Sequence, residues 1–168
     1  MVNKRENVDA AWANVENQYQ RRAELIPNLV ETVKGAANFE KETLTQVIEA
    51  RSKASSIQLS GDDLTPENIQ KYQQAQEQLS GALSRLLVTV ERYPELKATQ
   101  GFMQFQSQLE GTENRIAVER GRYNEVARDY NSYIQNFPQN LIAGWFDFEK
   151  KGYFEAREGS DVAPTVEF

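Results

Sequence analysis

Residues 102–137 read FMQFQSQLEGTENRIAVERGRYNEVARDYNSYIQNF. Within that stretch Phe102, Phe105, Leu109, Ile116, Tyr123, Ala127, Tyr130, Ile134 and Phe137 recur at steps of three, four or seven. Those steps return a side chain to the same face of a 3.6-residue helix, so the stretch predicts one long amphipathic helix over 102–136. Phe137-Pro138 ends it, because the residue before proline is pushed out of helical geometry.

The same period appears upstream. Val8, Trp12, Val15, Tyr19, Ile26, Val30, Val33 and Ala37 predict a first helix over 5–37, with a kink at Pro27, which has no N–H to donate to the carbonyl of Ala23. Leu44, Val47, Ile48, Ala54 and Ile57 predict a second helix over 40–56. After a loop at 58–65, Thr65 reads as an N-cap and Pro66 as the first residue of a third helix ending near Arg92. Its stripe is Ile69, Tyr72, Gln76, Leu79, Leu83, Leu86 and Val90. No strand-like alternation occurs. The fold class is therefore all-α, an antiparallel up-and-down four-helix bundle over 1–137, with an irregular aromatic tail over 138–168 packing on it.

Composition narrows the chemistry. The 168 residues suit one domain and contain no histidine and no cysteine. That excludes histidine-based triads, cysteine nucleophiles and imidazole or thiolate metal sites. Glu110 and Glu113, with Glu91 and Glu95 nearby, read as a solvated acidic face, so neither metal nor cofactor is expected. The formal charge of −6 argues against a nucleic-acid partner bound through a broad cationic surface. No apolar run approaches the ~18 residues of a membrane span. The polar start is compatible with a native N-terminus and with a cut just after an anchor.

Charges on the apolar stripes are the more informative feature. Arg22 continues the Val15–Tyr19–Ile26 face, and Arg51 follows Leu44 and Val47. Glu113 lies between Leu109 and Ile116, and Arg120 between Ile116 and Tyr123. A charge at such a position is costly unless paired. The expectation is a semi-buried network that joins Glu113, together with Glu91, to arginines of neighbouring helices, and that fixes register without doing chemistry. The alternative is that these side chains snorkel at the rim. In the tail, Trp145, Phe146, Phe148, Tyr153 and Phe154 have two readings: a strap across the bundle, or a dock for a partner protein or a membrane surface.

A family resemblance rests on RRAELIPNLVETVK at 21–34, YPELKA at 93–98, LEGTENRIAVERGRYNEV at 109–126, then Tyr130-Asn131, Phe137-Pro138 and a terminal segment from Val166 to Phe168. In this order the set closely resembles the LemA family. The resemblance implies a four-helix bundle in a bacterial protein held at the cell membrane by a short N-terminal anchor, either a single-pass helix or a lipid. It implies no enzymatic activity, substrate or cofactor. Arg21, Arg22, Pro27, Asn28, Arg51, Glu113, Arg120, Tyr123 and Asn124 carry over as signature positions of unassigned role. Phe39 stands where many relatives have histidine, which argues against a metal site built there. The expected function is a non-enzymatic, membrane-tethered module that binds an unidentified protein partner. The alternatives are a self-associating, homo-oligomeric envelope protein and a carboxylate-based metal-dependent enzyme.

Overall fold

A computed structural model of the chain describes residues 2–36 and 38–155. The expected contributions of Ala37 and of Val166 to Phe168 lie outside the described residues. Among the described residues six α-helices follow in order: α1 Val2–Lys34, α2 Lys41–Ser56, α3 Pro66–Val90, α4 Pro94–Lys97, α5 Gln100–Gln135 and α6 Gln139–Trp145. A 3-10 turn, Gly61–Asp63, precedes α3. Thr65 caps α3 by accepting from the Asn68 N–H, with Pro66 as the first helical residue, and Thr99 caps α5 in the same way through Phe102.

The four long helices make a bundle. Lys4 at the start of α1 meets Asp129 near the end of α5, Arg22 meets Glu113, and Gly101 lies against Thr32. The register descends on α5 as it ascends on α1, so the two run antiparallel. Two core clusters fill the interior. One is aliphatic apart from Phe102 and Phe105, and it gathers Ile26, Leu29, Val33, Val47, Leu79 and Leu86. The other is aromatic, with Trp12, Tyr19, Tyr72, Tyr123, Tyr130 and Phe154 beside Val8, Val15 and Ile69. On α1 the boundary between them falls at Arg22.

Several expectations need correction. The tail is not irregular throughout, because residues 139–145 form α6. Pro94–Lys97 adds a helical turn between α3 and α5. Ile48 is exposed: Val47 and Ala50 turn α2 inward, and its neighbour then faces water. Phe137 also faces water, because the helix stops at Gln135 and the period no longer governs where a side chain points.

Candidate functional site: a strap held by side-chain amides

Beyond α6 the chain crosses back over the bundle as an extended segment, 151–155, and three of the polar side chains singled out by the sequence, Arg120, Tyr123 and Asn124, converge there. Helices spend their main-chain N–H and C=O groups internally, so a segment lying across them must find partners on side chains. Asn131 Nδ2 donates to the Lys151 carbonyl at 3.0 Å, and the Lys151 N–H donates to Asn131 Oδ1 at 2.8 Å. One helical stretch away, Asn124 does the same for Phe154, with both bonds at 2.9 Å. Gln73 on α3 does the same for Glu155, with both bonds at 2.8 Å. The Tyr123 hydroxyl donates to the Gly152 carbonyl at 3.0 Å, Arg120 donates to the Glu155 carbonyl at 2.7 Å, and the Gly152 N–H donates to Leu64.

The spacing has a geometric cause. Asn124 and Asn131 are two turns apart, about 10.5 Å along a helix axis. Lys151 and Phe154 are three residues apart in an extended chain, about 10 Å. The two rulers match, so each amide meets one complete N–H/C=O pair. The strap runs antiparallel to α5.

Two side chains anchor the segment. Phe154 stacks on Trp12, with centroids 5.7 Å apart, meets Tyr123 edge-on, and lies 4.9 Å beneath the Arg120 guanidinium. Gly152 passes so close to the start of α3 that a Cβ there would lie 2.7 Å from the Pro66 Cα and 2.8 Å from the Thr65 carbonyl oxygen. Lys151 is buried, with Nζ donating to the Gly61 carbonyl and lying over the Tyr130 ring. Desolvation pushes its pKa below the usual lysine value, against the opposing pull of Asp9 and Asp62.

The remaining candidates separate. Arg22, only 1% exposed, reaches Glu113 at 3.1 Å, Ser80 at 2.6 Å, and both the carbonyl and the side-chain oxygen of Gln76 at 2.8 Å. This cluster bridges α1, α3 and α5 between the two cores. Glu91 takes no part in it. It pairs with Lys97 on an exposed turn, where a flexible surface ion pair contributes little. Arg51 reaches α1 separately: its Nε donates to the Ala23 carbonyl at 3.0 Å, the acceptor that Pro27 leaves without its helical donor. Arg21 and Asn28 are exposed. Tyr153 and Phe154 belong to the strap, and Phe148 is half-buried beneath Arg5. Trp145 and Phe146 point to solvent, 83% and 66% exposed. Asn131, Gln73 and Gly152 were missed. The repeated Tyr-Asn at 123–124 and 130–131 was the signal for the first; Gln73 carries none.

Among the described residues, no group of three or more acidic side chains is placed to hold a metal ion. No described helix is long and apolar enough to cross a membrane. The fold and site define an all-helical bundle latched by its own extended C-terminal segment. The chain belongs to the LemA family, whose model matches residues 11–168. A relative, Protein LemA of Metamycoplasma hominis, is 28% identical over 139 residues, which cover 83% of this chain and 59% of the relative. The chain thus spans less than two thirds of that relative's length.

Proposed function

We propose that this chain is a non-enzymatic interaction module tethered at a membrane. One observation carries the reading: α6 is turned inside out. Ala143 is its buried residue, while Leu141, Ile142 and Trp145 share one outward face, flanked by Phe137 and Phe146. An apolar face of this size in water marks a contact surface, and tryptophan and phenylalanine are suited to the headgroup boundary of a bilayer. The face lies at the end of the bundle where α1 begins, since Lys4 pairs with Asp129 and Arg5 covers Phe148. An anchor entering α1 would bring this face to the lipid. LemA-family proteins are membrane-associated in general, in keeping with this reading. The polar clusters support the non-enzymatic part, because Arg22, Arg51, Arg120, Tyr123 and Asn124 are all occupied in holding helices and strap together.

Flotation with phosphatidylcholine vesicles tests it. Trp12 is buried, so Trp145 reports the outer face. The chain is expected to float with vesicles and to shift its tryptophan emission to the blue, and Trp145→Ala/Phe146→Ala is expected to stay with the soluble fraction. A wild-type chain that stays with the soluble fraction, its emission unmoved, would overturn the reading of α6.

A further inference from the structure

The groove beneath the strap reads the strap's main chain through three amides and its identity through a few side chains. Asn131, Asn124 and Gln73 each read a main-chain N–H and C=O, which every residue but proline offers. Selectivity comes from four positions: the aromatic box around Phe154, the close pass at Gly152 that leaves no room for a Cβ, the buried Lys151 whose Nζ donates to the Gly61 carbonyl, and Tyr153, whose hydroxyl accepts from Asn131 Nδ2 at 2.7 Å. The site is therefore one for an extended Lys-Gly-Tyr-Phe-x segment. The segment seated in it is 151–155, and each further copy of this chain carries an identical one.

We propose that the groove also accepts the 151–155 segment of a second copy, so that exchange of straps between two copies is a route to self-association. The connection to the strap suits this. Residues 146–150 are exposed apart from half-buried Phe148, and α6, which precedes them, buries only Ala143. An exchanged strap regains every contact it gives up, so the exchange costs chiefly the entropy of bringing two chains together. Within one copy the short connection keeps the strap at a high effective concentration over its own groove. Exchange therefore gains when copies are crowded or when the resident strap is damaged. This inference is independent of membrane contact and stands or falls without it.

A complementation experiment tests it. One chain carries Asn124→Ala/Asn131→Ala, which spoils the groove and leaves the strap intact. The other carries Gly152→Val/Phe154→Ala, which spoils the strap and leaves the groove intact. Each alone is expected to be monomeric by light scattering and native mass spectrometry, and their mixture to give a one-to-one species of doubled mass. A mixture that stays monomeric, with both chains helical by circular dichroism, overturns the proposal. A second measurement covers a variant that does not fold. Wild-type chain, unfolded and refolded at high concentration, is expected to yield a dimer that falls apart slowly on dilution, and Trp145→Ala/Phe146→Ala treated alike is expected to yield it too. A wild-type chain that refolds only to monomer, or a dimer lost in the Trp145/Phe146 variant, overturns the proposal, the latter by moving the contact to α6.

Discussion

At the scale of single residues, Arg22 shows what a buried charge demands. Its guanidinium lies between an aliphatic and an aromatic core, and Glu113 supplies the opposite charge while Gln76 and Ser80 take further donors. Glu113→Ala leaves that cation buried among neutral groups, and we expect a loss of about 1–3 kcal/mol in urea denaturation. Arg22→Met, which removes the charge along with the need for a partner, is expected to cost less than Glu113→Ala. Gly152 makes the opposite demand, for absence of a side chain. Gly152→Ala drives a Cβ into the Pro66 backbone, which cannot move as a flexible side chain would, and a loss of about 1–3 kcal/mol is expected. The sequence announced Arg22 and Glu113 because both interrupt an apolar stripe. Glu91 looked similar from its position near a turn, but the stripe had already ended there. Gln73 and Asn131 were harder to see. A polar residue on a helix normally faces water, and only the path of the strap turns these two inward.

Among elements, the clearest case is the bond that α2 lends to α1. Pro27 deprives the Ala23 carbonyl of its N–H donor, and Arg51 from α2 donates in its place at 3.0 Å. Restoring the helical donor should make that loan unnecessary. Arg51→Met is therefore expected to cost about 1 kcal/mol more in the Pro27 chain than in a Pro27→Ala background, as a double-mutant cycle measures. The strap makes a second prediction. Asn124→Ala or Asn131→Ala each strands a main-chain N–H and C=O, at about 1–3 kcal/mol. Amide exchange at 151–155 is expected to accelerate while α1 and α5 remain protected, and equal acceleration throughout would count against a separable strap. Helix existence was legible from the 3.6-residue period, because that period is imposed by burial itself. Helix α6 was not, since its apolar face does not look inward and its seven residues are too few to establish a period.

For the whole molecule, the aromatic core sets the response to alkali. Burial raises the pKa of Tyr19, Tyr72, Tyr123 and Tyr130 above the ordinary value of 10.0. A group raised in the folded state gives stability that is complete below its unfolded pKa and is lost as pH climbs past it. Lys151, lowered by burial, works in the other direction below the usual lysine value of 10.5, but it is one group against four. The melting temperature is expected to fall as pH rises beyond about 10, with tyrosinate absorbance appearing together with the loss of helical signal. Early, independent ionisation of all four tyrosines in a still-folded chain would contradict this. The bundle as a whole was legible because its stripes are long, whereas the splitting of its interior into two unlike halves followed from a single arginine. The antiparallel course of the strap also has a mechanical consequence. Tension applied beyond Glu155, directed away from the bundle, would load the Gln73 clasp first, then Asn124, then Asn131, in sequence rather than together. The fastening would open like a zip at modest force, and the four long helices would stay assembled behind it.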